Sequence, residues 1–409
     1  MVNGKLVTLL FSIFRFSFSV KMIYFDNNAT TQIAPEVFAA IKPFLTEFYG
    51  NPSSAYNFGH DLRKVIEDSR ENVAALVGAS DSQEIVFTSG GTESDNWAVL
   101  GTLEANPNKK HVVTTRVEHE AVRKLCERLQ TKGFEITWLE VSEEGFLDLA
   151  ELKNALRKDT AIVSVMLANN ETGILFPVKE IAQIVKENSD AIFHVDGVNA
   201  VGKVPIDLKK TRIDLFSVSG HKFHAPKGVG ALYIKNGVEL PSFYTGGGQE
   251  TGRRAGTEAV HQLVALGAAA QIVKDFSAME KVKRLRDKLE DGILQKIPNA
   301  KLNGTNDRTK RLPNTSSISF ENLNGETILA KLNDAGIAVS TGSACNSETH
   351  AASAVLQAMN VPYAWAMGAI RFSLGRYNTE KEVDFVLEIL PQIVEQMNDM
   401  FPYEQQESA

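Results

Sequence analysis

Cysteine is scarce in this sequence, with only Cys126 and Cys345 among 409 residues. Two thiols are too few for the disulfide framework of a small secreted domain, and too few for a metal site built from four thiolates. The fold therefore has to depend on its hydrophobic core, and each of the two cysteines needs its own explanation.

The sequence also lacks a surplus of positive charge. Lysine and arginine number 43 against 50 aspartates and glutamates, which gives a formal net charge of -7 at pH 7 and a pI near 5.7. Proteins that bind nucleic acid through the phosphate backbone show the opposite imbalance. Nucleic acid is therefore disfavoured as a direct partner.

Long hydrophobic runs are absent as well. The apolar stretch at residues 6–13 is followed by Arg15 and is shorter than the ~20 apolar residues of a membrane span. We expect residues 1–21 to lie outside the fold, as an extension caused by a start assigned upstream of Met22. The prediction is a cytoplasmic protein without membrane association, and the arginine and serines of this segment leave organelle targeting as the alternative.

What the sequence does contain is a regular alternation of short apolar runs and helical periodicity. A helix is predicted over residues 60–77, where apolar residues recur at helical spacing and Gly78 follows as a cap. Such alternation predicts an α/β fold with a mainly parallel sheet between helices, and ligands beyond the carboxyl ends of the strands. The strand-like runs occupy residues 84–88, 111–115, 135–139, 161–167, 191–195, 215–218 and 230–234.

The pattern changes near residue 282. A charged helix is predicted over residues 280–289, and new strand signals follow at residues 316–320 and 337–339. We therefore expect two domains. The boundary between them is expected near Val282.

Two charged residues stand directly after strand-like runs. Lys222 is either a solvated surface lysine or one that forms an imine, and Asp196 is either a cap or a carboxylate that points into a cleft. Together they match the needs of pyridoxal phosphate. This cofactor uses a lysine to bind its aldehyde and an aspartate to keep its pyridine nitrogen protonated.

Two further features accompany this pair. The turn Ser89-Gly90-Gly91-Thr92 allows backbone N–H groups to approach a phosphate at the start of a helix, although a Gly-Gly turn alone is a weak signal. His119 follows the run at residues 111–115, and it either stacks on an aromatic cofactor or merely caps a helix.

Seven short motifs occur in order along the chain: FDNNATT (25–31), TSGGTESDN (88–96), EHEAV (118–122), NNETG (169–173), SGHK (219–222), GGGQE (246–250) and GSAC (342–345). With these motifs the sequence resembles a known family, the pyridoxal-phosphate-dependent cysteine desulfurases of the class V aminotransferase group. The resemblance covers residues 23–392 and is closest to the NifS/IscS branch. It implies a fold-type I architecture with a seven-stranded large α/β domain over residues 36–281. It also implies a smaller α+β domain, formed by residues 22–35 together with 282–409, that carries the loop with Cys345.

The resemblance implies a set of cofactor-binding residues. Lys222 would hold the aldehyde of pyridoxal phosphate as a Schiff base, Asp196 would pair with the pyridine nitrogen, and His119 would stack on the ring and take part in proton transfer. The phosphate would be held by Gly91, Thr92, Ser219, His221 and Thr257. Of these, Thr257 would reach across from the second subunit of a homodimer.

The resemblance also implies how a substrate is bound. Asn170 would contact both the cofactor and the substrate carboxylate, and Arg371 would clamp that carboxylate through two hydrogen bonds. Asn199 stands where the family usually has glutamine, which contacts the phenolic oxygen of the cofactor. Gly91 and Ala255 also depart from the usual alanine and serine, without removing a charge or a required donor.

The implied activity is conversion of L-cysteine to L-alanine. The sulfur would remain as a persulfide on Cys345 and then pass to an acceptor, such as an iron-sulfur scaffold protein. The flanking residues 340–347 are small and polar, as an accessible nucleophile requires. Cys126 lies at helical spacing among apolar residues, so we interpret it as a packed thiol.

Two other functions compete with this interpretation. One is another pyridoxal-phosphate-dependent lyase or aminotransferase of the same fold, for example one acting on selenocysteine, in which Cys345 is incidental. The other is a non-catalytic scaffold of a sulfur-transfer complex. The joint presence of the lysine, aspartate, histidine, arginine and cysteine named above disfavours the scaffold, because site residues rather than fold decide function.

Overall fold

The computed structural model describes residues 22–341 and 352–400. Cys345 and the extension over residues 1–21 lie outside the described residues. The strands are β1 (Ile23–Tyr24), β2 (Ile85–Thr88), β3 (His111–Thr115), β4 (Glu135–Leu139), β5 (Thr160–Met166), β6 (Ile192–Asp196), β7 (Leu215–Ser219), β8 (Gly230–Ile234), β9 (Ala300–Leu302), β10 (Thr315–Phe320), β11 (Ile337–Ala338), β12 (Ser340–Thr341) and β13 (Ala369–Ser373).

The α-helices of the described residues lie between and beyond these strands. In chain order they are α1 (Pro35–Thr46), α2 (Asn57–His60), α3 (Leu62–Val77), α4 (Gly91–Ala105), α5 (Glu120–Gln130), α6 (Leu149–Ala155), α7 (Val178–Asn188), α8 (Val260–Val273), α9 (Ser277–Lys296), α10 (Gly325–Asp334), α11 (Ala354–Ala358), α12 (Tyr363–Ala366) and α13 (Glu380–Met400).

The large sheet has seven strands in the order β2-β8-β7-β6-β5-β3-β4. Neighbours from β4 to β7 pair in parallel, whereas β8 pairs antiparallel with both β2 and β7. The prediction of a mainly parallel seven-stranded sheet is therefore confirmed, and every strand lies within one residue of its predicted limits.

Three strands of the large sheet are buried along their whole length. Every residue of β3, β5 and β7 is buried, including the polar ones, so these strands show no alternation between a buried and an exposed face. Helix α4 packs across β5 to β8, and helix α8 packs on α1 and α3. This packing holds the carboxyl ends of β5, β6 and β7 at one edge of the first hydrophobic core.

Two predicted helices differ from the structure in their limits. The helix expected over residues 60–77 is interrupted at Asp61, which separates a short first turn from α3. Gly78 ends α3 with φ of 65°, as predicted, and a Cβ there would lie 2.7 Å from the Cα of Asp207. The helix expected over residues 280–289 is the longer α9, because buried apolar residues continue at helical spacing as far as Ile293.

A second core surrounds the smaller sheet, whose antiparallel strands run in the order β12-β13-β10-β9. The N-terminal strand β1 joins this half by pairing in parallel with β11, and Phe25 is buried in the second core. Val355 and Leu356 of α11 instead pack in the first core. The predicted division into domains stays a prediction, and its limit at Val282 falls inside α9.

None of the helices in the described parts of the chain has both the length and the apolar content that crossing a bilayer requires.

The turn after β6 gives a test of how tightly the first core is packed. A Cβ at Gly197 would lie 1.9 Å from the ring of Phe216, which is fully buried and has no room to move. We expect Gly197→Ala to lower the free energy of unfolding by about 1–3 kcal/mol through overpacking, as measured by urea denaturation. Gly248→Ala is the control, because nothing lies near that position, and its stability should equal that of the unsubstituted protein.

Candidate functional site

A cavity of about 420 Å³ opens where β5, β6 and β7 end. Its walls combine the large sheet, the first turn of α4, the N-terminal segment after β1, and strands β12 and β13 of the smaller sheet. A cavity of this size is typical of sites for small ligands. The predicted site residues that line it are Gly91, Thr92, His119, Asn170, Asp196, Asn199, Ser219, His221, Lys222 and Arg371.

Lys222 reaches this cavity from a short 3-10 turn, Gly220–Lys222, directly after β7. Its Nζ donates to the backbone carbonyls of Asn28 at 2.5 Å and Ala29 at 3.0 Å. These carbonyls belong to the segment that follows β1. The lysine is therefore directed into the cavity rather than towards bulk solvent, which excludes the interpretation as a solvated surface residue.

Asp196 is the last residue of β6 and is buried at the cavity wall. Its Oδ1 accepts a hydrogen bond from the backbone N–H of Val198 at 2.8 Å. Burial raises the pKa of Asp196, and this rise is partly opposed by the neighbouring His119, by the hydrogen bond from Val198 and by the positive field of Lys222. A buried carboxyl in this state is stabilised as an anion when a cationic partner binds beside it.

Two further carboxyl groups, Asp95 and Glu118, line the same cavity. Burial, followed by the nearby Asp196, raises the pKa of Asp95 well above its ordinary value, and burial raises the pKa of Glu118 to about 8. Asp95 Oδ1 and Glu118 Oε2 have no hydrogen-bond partner among the described residues. The sequence analysis missed both residues, although each stands inside a quoted motif.

His119 is both a helix cap and a cavity residue, so the two interpretations of the sequence are compatible. Its Nδ1 accepts a hydrogen bond from the backbone N–H of Ala121 at 3.1 Å, at the start of α5. Burial lowers the pKa of His119, so the ring is neutral at pH 7. Because Nδ1 accepts, the ring proton resides on Nε2.

The start of α4 provides a place for an anion. Its first residue is Gly91, preceded by Gly90, and no side chain caps this end of the helix. Backbone N–H groups and the positive end of the helix dipole therefore face the cavity beside Thr92 and Ser219. His221 lies nearby, and burial lowers its pKa to about 4.

Arg371 forms the opposite wall, from strand β13. Its Nη1 donates to the Asn170 backbone carbonyl at 3.1 Å, and its Nη2 donates to Asp26 Oδ1 at 2.6 Å. The Nε has no partner among the described residues, although the side chain is only 8% exposed. The edge formed by Nε and Nη2 is the one that binds a carboxylate through two hydrogen bonds.

Thr257 does not line this cavity. It lies instead at a separate cavity of about 110 Å³, beside Ser89 and Arg254. Arg254 is paired with Glu93 of α4 through two hydrogen bonds of 2.9 and 3.1 Å. The loop that carries Thr257 is thus fixed to the outside of the phosphate turn.

Cys126 is fully buried in a small core with Val122, Leu125 and Leu129 of α5. Burial raises the pKa of this thiol to about 12. The interpretation of Cys126 as a packed thiol is therefore confirmed, whereas Cys345 lies outside the described residues.

Together these groups can hold a planar aromatic phosphate that carries an aldehyde. The amine of Lys222 suits an aldehyde, the buried carboxyl of Asp196 suits a ring nitrogen, the neutral imidazole of His119 suits the face of a ring, and the start of α4 suits a phosphate. The residues present therefore fit pyridoxal phosphate by donor type and by cavity size.

The family model for aminotransferase class-V matches residues 23–386 of the chain. A cysteine desulfurase of Trichormus azollae is 51% identical over 392 residues, covering 95% of this chain and 97% of the relative. The cysteine desulfurase NifS of Azotobacter vinelandii is 48% identical over 383 residues, covering 93% and 94%. Among solved structures, a NifS-like protein of Rickettsia africae has a TM-score of 0.83 at 31% identity, covering 92% of this chain and 100% of its own.

Below the cavity floor, His194 gives a test of the buried electrostatics. It is fully buried between Ser164 and Ser217, and burial lowers its pKa to about 3. Since the folded pKa lies below the unfolded value of about 6.5, this group stabilises the protein above pH 6.5 and loses that contribution as pH falls. We expect the buried His194 to lower the free energy of unfolding by about 1.4 kcal/mol for each unit by which the pH falls between pH 6 and pH 4.

The measurement is the slope of the unfolding free energy against pH for three proteins. His194→Gln should show a shallower slope than the unsubstituted protein by the amount given above, even if its stability is lower throughout. His60→Gln, at an exposed histidine, should keep the original slope. Parallel curves for His194→Gln and the unsubstituted protein would show that His194 is not held neutral by burial.

Proposed function

The chain belongs to the class-V aminotransferase family, within its cysteine desulfurases, and from this we propose that it converts L-cysteine to L-alanine and takes up the sulfur on Cys345. Membership confirms the resemblance to the NifS/IscS branch. The observation that carries the proposal is the meeting of Lys222, Asp196, His119 and Arg371 at one cavity.

The proposed cofactor is pyridoxal phosphate, which supplies an electron sink for the charge that develops at the substrate α-carbon. Asp196 would face the ring nitrogen and His119 the ring. The first turn of α4, together with Ser219 and His221, would hold the phosphate. These are the residues that the sequence analysis named, and the described geometry brings all of them to one cavity.

Arg371 would bind the carboxylate of L-cysteine. Its Nε has no partner among the described residues, and Nη2, which gives one hydrogen to Asp26, has a second, so the two would offer the parallel donors that a carboxylate needs. The backbone carbonyl of Asn170 holds Nη1 and so fixes the plane of the guanidinium. The substrate α-carbon is thereby directed towards the lysine on the other side of the cavity.

Lys222 is the proposed base for the α-proton, because its Nζ lies in the cavity on a short turn. His119 carries its proton on Nε2, since Nδ1 is engaged by Ala121, and can therefore pass a proton to or from the substrate. Burial raises the pKa of both Asp95 and Glu118, which disfavours a further negative charge beside Asp196.

The sulfur step requires a thiolate. The Cys345 thiolate would attack the substrate sulfur, so that an S–S bond forms as the substrate C–S bond breaks and the carbon is protonated to give alanine. Three residues separate Cys345 from Thr341, which lines the cavity. The persulfide would then pass to an acceptor, for which an iron-sulfur scaffold protein is the proposed partner.

We further propose that the protein is a cytoplasmic homodimer of two-domain subunits. The large domain would span residues 36–281, and residues 22–35 and 282–409 would form the small domain. The second core, which contains Phe25 together with residues of α9, α10 and α13, supports this division. The position of Thr257 outside its own cavity supports a role in the partner's site.

The decisive experiment replaces one cysteine at a time. Cys345→Ser should bind pyridoxal phosphate and L-cysteine but release no sulfide, because the serine hydroxyl cannot carry a persulfide. Cys126→Ala is the matched control and should release sulfide like the unsubstituted protein, since Cys126 is packed in a core away from the cavity. Normal sulfide release by Cys345→Ser would support the lyase alternative, and failure of the unsubstituted protein to bind the cofactor would support the scaffold.

The subunit assignment of Thr257 is tested by mixing two inactive variants. In a dimer of one Lys222→Ala chain and one Thr257→Ala chain, one of the two sites has both Lys222 and the partner subunit's Thr257 intact. Random reassociation should therefore restore alanine formation to about one quarter of the unsubstituted level. If each Thr257 serves its own chain, the mixture will stay as inactive as its components, and the assignment is wrong.

A further inference from the structure

A second buried amine lies behind the cavity wall, and the proposed function does not use it. Lys203 ends the turn after β6 and is 7% exposed. Its Nζ donates to Asn199 Oδ1 at 2.7 Å and to Asn28 Oδ1 at 2.9 Å. Burial lowers the pKa of Lys203 well below its ordinary value. Both of its partners belong to the wall of the cavity.

The first contact fixes the orientation of Asn199. An amine that donates to Oδ1 leaves the Nδ2 group of the same amide to face the other way. That Nδ2 has one long contact, to the Asn169 carbonyl at 3.5 Å, so donor capacity remains for a ligand in the cavity that Asn199 lines. Without the amine, the amide could rotate and present its oxygen to the ligand.

The second contact helps to hold Asn28, whose amide is also bonded to Asn314 and Thr315. Its Oδ1 accepts from Lys203, and its Nδ2 donates to the Asn170 carbonyl at 3.1 Å. The same carbonyl accepts from Arg371 Nη1. The backbone carbonyl of Asn28 accepts from Lys222. One residue therefore connects Lys203 both to the base and to the carboxylate clamp.

We propose that Lys203 is a positioning residue that orients the amide donor of Asn199 towards the cofactor and, through Asn28, holds the guanidinium of Arg371 in place for the substrate carboxylate. This proposal rests on the proposed function for the identity of the two ligands. Lys203 itself touches neither ligand, since it does not line the main cavity.

The test uses the full-length holoenzyme and its cofactor-free form reloaded with pyridoxal phosphate. For Lys203→Met, which keeps the length of the side chain without its amine, we expect the dissociation constant of the cofactor to rise about tenfold, as for one lost oriented hydrogen bond. The visible absorption maximum of the loaded protein should shift, and the KM for L-cysteine should rise more than kcat falls. Lys209→Met, at an exposed lysine of the same segment, should match the unsubstituted protein in every readout.

A double-mutant comparison separates orientation from packing. If Lys203 acts on the cofactor through Asn199, then Lys203→Met added to Asn199→Ala should not weaken cofactor binding further. Additive losses would show a purely structural contribution and would overturn the proposal. An unchanged cofactor dissociation constant in Lys203→Met would overturn it as well.

If Lys203→Met does not fold, Asn199→Asp decides the question. The aspartate keeps an oxygen for the amine but offers the ligand no donor, so the protein should fold and bind the cofactor about tenfold more weakly. Unaltered binding by Asn199→Asp would refute the proposal. Alanine formation by the unsubstituted protein is measured separately, so a protein that binds the cofactor without desulfurating cysteine refutes the proposed function and leaves the cofactor result interpretable.

Discussion

Asn28 joins the two halves of the molecule at the cavity wall, and the rest of the site depends on this junction. Its backbone carbonyl accepts from Lys222 of the large sheet, and its side chain contacts Thr315 and Asn314 of the smaller half. Buried amides of this kind are costly unless every polar atom is paired. The full set of contacts is available only when the two sheets and the N-terminal segment are assembled, so the geometry of the cavity and the packing of the halves are linked.

The electrostatics of the cavity show a similar dependence on assembly. Three carboxyl groups, Asp95, Glu118 and Asp196, lie at one cavity wall, and burial raises the pKa of each. Their mutual repulsion makes a second or third negative charge unfavourable. Of the three, Asp196 alone has its pKa rise opposed by the positive field of Lys222, so it is the carboxyl best placed to become an anion. A ring nitrogen that binds a proton beside Asp196 would complete an ion pair there.

The sequence predicted most of the fold because the buried strands are continuous apolar runs and because the reactive residues stand at their carboxyl ends. Lys222 and Asp196 could be found for that reason. The direction of β8 could not, since an apolar run of five residues carries no sign of whether its neighbour runs parallel. The length of α9 was underestimated because charged residues on its outer face hid the apolar positions beyond Leu289.

The hydrogen-bond partners of the residues at and behind the cavity wall could not be predicted from the sequence. Lys203 and Lys222 meet Asn28 across 175 and 194 positions of the chain, and Arg371 meets Asp26 across 345. No local pattern specifies such contacts. From the sequence, Asn199 is only a side chain one methylene shorter than the usual glutamine. In the structure, the buried amine of Lys203 donates to its Oδ1.

The loop before α8 is held in an energetically unfavourable backbone conformation. Glu250 and Thr251 have φ values of 51° and 59°, a region that costs energy for residues other than glycine. The Glu250 carboxylate is held by Arg70 and by the backbone N–H of Phe87, and the ion pair is almost fully buried. Such strain persists only where surrounding contacts impose it, yet the loop presents Thr257 away from the cavity of its own chain. This placement supports the proposal that Thr257 serves the site of a partner subunit.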